Sequence, residues 1–456
     1  MAFLIGGANS ADDAYEIANS CKFDLAATSY MARSPSGATN RRTFTISFWI
    51  KRCGTGVEDY FFNVGTGATD RFNILFLYGG MYVWENASGW NISFDTNAAF
   101  RDPSAWSHIV IAVDTTQSTE ANRLKVYING SQVTSWAESS YPDQNYDTKV
   151  NTTDEMRWGR NFGSESQYFS GYLAEVILID GTAYAASDFG KYNSDSPSIW
   201  QPKDPSGLTF GTNGYWLDFE DSSALGNDIS GNNNDFAVTN LAAADQASDS
   251  PTNNFCTINP LASNVTLTEG NLQFSGIYNC KSSIAMQNGK WYAECKITND
   301  NTYNPMTGIG QTGTEHIDNP LGDGYAGNTT DSYHYQRDGK IHANGSDDAQ
   351  TSLTSIAQND IVGIAVDLDS GTKTCKWYIN NTLRGTQNLS ETGSNPYVFW
   401  TYASGSQAGE GQWNFGGCSA FALTSAAQDE NGYGNFEYAP PAGYLALCTK
   451  NLAEEG

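Results

Sequence analysis

Two stretches of the chain share one pattern of apolar and polar positions. The first runs Ile109-Val110-Ile111-Ala112-Val113-Asp114, crosses a polar connector and continues as Lys125-Val126-Tyr127-Ile128-Asn129-Gly130. The second runs Ile361-Val362-Gly363-Ile364-Ala365-Val366-Asp367, crosses a shorter connector and continues as Lys376-Trp377-Tyr378-Ile379-Asn380-Asn381. Each is an apolar run ending in Asp, a turn-rich link, and an alternating run ending in Asn. That pattern predicts a β-hairpin, because β-branched and aromatic side chains suit a pleated surface while Asn, Asp and Gly supply the turns. Period two places Leu124, Val126 and Ile128 on one face of the first hairpin, with Lys125 and Tyr127 on the other. It does the same for Cys375, Trp377 and Ile379 in the second. Two β-sandwiches, each with such a hairpin in its core, are the expectation.

The rest of the pattern agrees with an all-β chain. Phe44, Ile46, Phe48 and Ile50 alternate cleanly, and short strands are predicted over 60–64, 72–78, 81–84 and 91–95. A long apolar run spans Gly171 to Asp180. In the second half Trp291, Ala293, Cys295 and Ile297 share an inward face. Asp338-Gly339 predicts another hairpin. A two-residue loop there pairs His342 with Tyr335 and turns His334 to the opposite face, so no zinc pair is expected. No stretch sustains an amphipathic helix of several turns. Pro197, Pro202 and Pro205 break regular structure before a last strand, Gly214 to Phe219. The expected organisation is a first sandwich over 1–240, a linker over 241–260 rich in Ala, Asp, Ser, Pro and Asn, and a second sandwich over 261–456.

Charge narrows the function. With 24 Lys and Arg against 50 Asp and Glu, the net charge is −26. Nucleic acid and anionic membrane surfaces both select for basic residues, so neither is an expected partner. Membrane insertion is not expected either, since no run is long and apolar enough to span a bilayer. The opening Met1-Ala2-Phe3-Leu4-Ile5-Gly6-Gly7 lacks the basic start and apolar length of a signal peptide. Eight cysteines without CxxC spacing read as free thiols in a reducing compartment.

Certain motifs resemble known families. FTISFWIKR (44–52), WSHIVIAVD (106–114), KVYING (125–130) and GYLAEVILIDGTAY (171–184) resemble the laminin-G/pentraxin-like branch of the concanavalin A-like jelly rolls. GKWYAECKI, GIGQTG, SYHYQRDGKIHANGS, NDIVGIAVDLDSGTKTCKWYINN, NPYVFW and WNFGG follow one another between 289 and 417 in the order seen in SPRY domains. The implied fold is two concanavalin A-like antiparallel β-sandwiches in tandem. The tandem itself, DSPTNNFCTINPL (249–261) and APPAGYLALCTKNL (439–452) resemble structural proteins of tailed bacteriophages. That resemblance implies a virion protein of tail-fibre or head-fibre type, made in the host cytoplasm and assembled with other virion proteins. It would adhere to a bacterial surface glycan or protein, as a homo-oligomer and as a trimer if it forms a fibre. The alternative is a purely architectural capsid decoration or tail scaffold.

A third reading is a polysaccharide-cleaving enzyme, since glucanases share the jelly roll. Their chemistry needs two carboxylates flanking the bond, commonly set as Glu-x-Asp-x-x-Glu on one strand. That pattern is absent, and Glu175 and Asp180 have odd spacing that points them to opposite sides. There is no Gly-x-Ser-x-Gly elbow. A non-enzymatic protein is expected.

Candidate binding residues follow from the same logic. Aromatic rings in loops can stack on sugar faces, which nominates Trp84, Trp90 and Trp136 in the first half and Tyr333, Tyr335, Trp400 and Tyr402 in the second. Buried aromatics are equally normal in sandwich cores. No cofactor is expected. The one metal the loops could hold is a structural calcium, with Asp228, Asn232, Asn234 and Asp235 as the densest oxygen cluster; ordinary turn chemistry is the competing reading.

Overall fold

The computed structural model describes residues 15–54, 58–87, 89–162, 167–299, 304–313, 332–390, 395–403 and 408–456. The chain divides into two compact units between Thr252 and Asn253. Each is built from antiparallel sheets, as the alternation predicts.

In the first unit one sheet runs, in spatial order, Ser131–Gln132, Leu124–Ile128, Ser107–Asp114, Thr43–Arg52, Gly171–Asp180, Ser20–Phe23 and Gln246–Ala247. Tyr215–Leu217 also pairs with Gly171–Asp180. The facing sheet runs Trp136–Ser140, Trp90–Ala99, Gly80–Ala87, Asp70–Leu77, Glu58–Gly67, Glu155–Trp158, Tyr30–Arg33 and Ala237–Thr239. The predicted hairpin forms with Ile109 opposite Ile128, Ile111 opposite Val126 and Val113 opposite Leu124. With Ile128 at its partly buried edge, these residues meet Phe44, Ile46, Phe48, Phe62, Phe72, Ile74 and Phe94 in one interlayer core. At roughly 1.5–3 kcal/mol for each large side chain removed from water, this layer dominates the stability of the unit.

The second unit places Thr266–Thr268, Gln273–Gly276, Gly409–Asn414, Lys290–Ile297, Ile361–Asp367, Thr374–Ile379 and Thr382–Asn388 in one sheet, with Leu445–Ala446 parallel to Lys290–Ile297. Its other sheet runs Tyr278–Lys281, Tyr397–Ala403, Met306–Gln311, Ser332–Gln336, Lys340–Ala343 and Ser346–Gln350. Here the predicted hairpin sets Ile364 opposite Trp377 and Val366 opposite Cys375. Trp291, Trp377, Trp400 and Trp413 are all fully buried. Three of these indoles keep a hydrogen bond inside: Trp291 Nε1 to the Asn288 carbonyl, Trp377 Nε1 to the Thr307 carbonyl and Trp400 Nε1 to Asn279 Oδ1. A short helix, Thr449–Glu455, ends the chain described.

Three local expectations are corrected. The stretch 241–260 is taken up by both units: Gln246–Ala247 pairs with Ser20–Phe23, and Phe255 bridges to Cys448. Composition suggested a linker, but backbone hydrogen bonding decides. The loop at Asp338-Gly339 holds three residues, so His334 stands opposite His342 and Tyr335 opposite Ile341. His334 nonetheless packs edge-on against Trp400 in the core, and burial pushes its imidazole down to about 3. Its companion His316 lies outside the described residues. Finally, the strand Gly171–Asp180 contains a bulge between Ala174 and Ile177, with Glu175 at φ 46°. The extra residue breaks strict alternation and turns Glu175 away from the core.

Candidate functional site

The predicted aromatics separate sharply. Tyr333, Tyr335, Trp400 and Tyr402 are buried, and this corrects their assignment as ligand contacts: no ring face is left for a ligand. Their hydroxyl and indole groups bind the fold instead, as when Tyr335 Oη donates to the Thr354 carbonyl at 2.6 Å. Trp136 packs edge-on against Phe94 and seals the rim of the first core. Trp84 and Trp90 reach the surface of the second sheet of the first unit, and Trp90 is 62% exposed.

The oxygen cluster at 228–235 is a turn network. Asp228 Oδ1 accepts the backbone N–H groups of Trp216 and Ser230, and Oδ2 accepts those of Asn234 and the Ser230 hydroxyl. Asp235 Oδ1 accepts the Asp228 N–H. The amides of Asn232 and Asn234 point their NH2 groups at the carbonyls of Gly211, Thr212 and Gly214. Both Asp228 oxygens, Asp235 Oδ1 and Asn234 Oδ1 (from the Arg33 guanidinium) are thus engaged by N–H and O–H donors, a pattern that suits the turn reading. Among the described residues no group of three His, Cys, Asp or Glu is placed to hold a metal.

One cleft in the first unit was not foreseen. A cleft of about 710 Å³ lies on the outer face of its first sheet, walled by Tyr15, Tyr127, Tyr192 and Trp200. A size of this order suits a small ligand, for which known pockets span roughly 300–1,000 Å³. Tyr127 reaches it because alternation turns it outward from Val126 and Ile128. Tyr192 and Trp200 arrive on a three-residue hairpin, Gly190–Tyr192 with Trp200–Pro202. Ser187, Lys191, Lys203 and Asp204 supply polar groups at its rim.

Trp200 is fixed with care. Its ring lies against Gly130 and Gly190, where an added Cβ would come within 2.3 and 2.4 Å of it. It meets Tyr192 edge-on at 4.9 Å and stacks over His108, which in turn stacks on Trp49 at 4.7 Å. Trp200 Nε1 donates to His108 Nδ1 at 3.0 Å. That bond sets the tautomer: Nδ1 accepts, so Nε2 carries the proton and donates to Ser47 Oγ at 2.9 Å. His108 therefore cannot remove the Ser47 proton, and burial holds its imidazole neutral, down to about 3. The pair supports the cleft floor and is not a nucleophile and base.

Glu175 lies beneath the same region. Its carboxyl accepts from Tyr15 Oη at 3.0 Å and Trp216 Nε1 at 2.7 Å, and burial pushes it up to about 8. Asp180, the other strand carboxylate, accepts from the backbone N–H of Asn213 and the Asn151 amide. Each acid is tied to its own surroundings.

Residues 25–186 match the concanavalin A-like lectin/glucanases superfamily. The matched segment holds most strands of both sheets of the first unit and Tyr127, but ends before Tyr192 and Trp200. Among solved structures, the SPRY domain of human HERC1 aligns at 16% identity over 36% of this chain and 99% of its own, with a TM-score of 0.28. A heptameric SAP-like pentraxin from Limulus polyphemus aligns at 15% identity over 38% of this chain and 80% of its own, with a TM-score of 0.27. No curated protein matches the chain.

Sequence reasoning missed Tyr15, Tyr192 and Trp200 as cleft residues. The available signal was two aromatics spaced around Pro197, but Pro197, Pro202 and Pro205 made the segment read as a break in regular structure before the last strand.

Proposed function

We propose that the first unit binds a glycan in the Trp200 cleft and that the protein works by binding, without catalysis. The observation that carries this reading is the cleft itself: four aromatic side chains around an opening of about 710 Å³, rimmed by lysine, aspartate and serine. Aromatic faces stack on the C–H faces of sugar rings, while a few fixed polar groups orient the hydroxyls. The superfamily match over 25–186 supports the same class of ligand. The motif resemblance to phage structural proteins supports a finer reading, in which the glycan belongs to a bacterial surface and the protein serves attachment of a virion.

Binding is tested on an array of bacterial polysaccharides with the full chain, Trp200→Ala and Tyr192→Ala, each checked by thermal melting. Loss of binding in both folded variants is expected; undiminished binding in both overturns the cleft as the site. Release of reducing ends from a bound polysaccharide would overturn the non-catalytic reading. Undiminished adsorption of virions lacking the protein would overturn the attachment role alone.

A further inference from the structure

The opposite layer of the first unit carries a second arrangement of aromatic rings. In the strand Gly80–Ala87, Met81 and Val83 enter the core, so Tyr82 and Trp84 face outward. Trp84 meets Tyr82 at 5.2 Å with planes 77° apart, and Trp90 at 5.6 Å with planes 82° apart. Trp84 Nε1 donates to Asp95 Oδ1 at 3.2 Å, which fixes the central indole. Mutually perpendicular rings of this kind present π faces whose quadrupole attracts positive charge.

The strand register adds two acids to the same patch. Tyr82 stands opposite Asp95, and Asp95 stands opposite Glu138 on the neighbouring strand Trp136–Ser140. Like charges directly opposite one another destabilise a sheet. Neither acid forms an ion pair with Lys or Arg among the described residues. Among the described residues Glu138 accepts the Ser93 hydroxyl at 2.9 Å, a neutral donor. The nearby Arg71 is turned elsewhere, over the Tyr60 ring and onto Asn161. Two adjacent carboxylates with neutral donors but no cation on them, beside an indole left 62% exposed, are a poor arrangement for folding alone. An organic cation complements both, since its charge meets the carboxylates and its apolar body meets the rings.

We propose that this face binds a protonated amino sugar, its ring against Trp90 and Trp84 and its ammonium group toward Asp95 and Glu138. A hard metal ion would use the oxygens and leave the indoles idle. A saccharide amine uses both. The site is independent of the Trp200 cleft.

The test compares the β-1,4-linked glucosamine tetramer with its fully N-acetylated counterpart, which has the same backbone without the charge. Calorimetry in mildly acidic buffer uses the full chain, Trp90→Ala and Glu138→Gln, with thermal melting to verify folding. The amine form is expected to bind about tenfold more tightly, and each variant to remove that preference. Equal binding of the two tetramers overturns the proposal. A preference that survives in both variants also overturns it, since it would reflect only the general field of a chain with net charge −26. A lysine-rich peptide binding through the same residues in place of the saccharide overturns the assignment to a sugar.

Discussion

The two units carry the same device and finish it differently. Each has an Ala-Glu pair on an interior strand, Ala174-Glu175 in the first and Ala293-Glu294 in the second, with the glutamate buried. Glu175 is met by two side chains, the Tyr15 phenol and the Trp216 indole. Glu294 is met by the backbone N–H groups of Glu437 and Tyr438, by the Asn414 amide and by the Tyr292 phenol. Those backbone bonds bring the C-terminal chain over the strand, where Phe436 and Tyr444 pack with Tyr292 in a buried cluster. Of the two side chains that hold the Glu175 carboxyl, Tyr15 also walls the Trp200 cleft. A carboxyl held by backbone draws a segment over the face. The tryptophans differ in the same sense: Trp84, Trp90, Trp106, Trp136 and Trp200 of the first unit reach solvent to some degree while Trp49, Trp158 and Trp216 are buried, whereas all four in the second are buried.

The sharpest way to break this contrast is to remove a ring from each unit. Trp291→Ala is expected to cost the second unit about 3–5 kcal/mol, because a fully buried indole leaves a cavity, and chemical denaturation followed by tryptophan fluorescence measures it.

Next in size is the dependence on pH. Burial raises Glu175 from 4.5 to about 8 and Glu294 from 4.5 to about 7. The folded state therefore holds these protons more tightly than the unfolded chain. The stability each group contributes is complete below 4.5 and is lost as pH rises through its folded value, at most about 5 kcal/mol for Glu175. The melting temperature of the first unit is expected to fall toward about pH 8, and that of the second to level off about one unit lower. Glu175→Gln should flatten only the first slope and Glu294→Gln only the second; calorimetry across this range reads both.

Gly190→Ala probes the cleft more gently. The new methyl would displace the Trp200 ring, costing about 1–2 kcal/mol in stability and weakening glycan binding in the same titration. Smallest of all, Trp90→Ala should change the melting transition by less than about 0.5 kcal/mol, since the ring is largely in water.

Strand alternation made both cores legible in the sequence. The hairpins, the inward faces of 44–50 and 291–297 and the all-β architecture follow from period two alone. What alternation cannot carry was lost. The bulge at Glu175 inserts one residue and reverses its face, and the third loop residue at Arg337-Asp338-Gly339 slips the histidine register. The Tyr192–Trp200 hairpin is too short and too proline-broken to show a period. Exposure was equally hidden: Trp90 and Trp400 both sit in strands, and the packed layers separate the surface ring from the buried one.

All eight cysteines are buried and none is in a disulfide, and burial pushes thiols such as Cys53, Cys280 and Cys448 above their ordinary range. Thiolate is the species that alkylating reagents consume, so the native chain should be nearly silent to maleimide. Cys21 and Cys53 belong to the first unit and the other six to the second. Mass-resolved labelling during slow denaturation would then register the opening of the first unit as two added tags and of the second as six. The molecule carries its own domain-specific clock for unfolding, with no engineered probe.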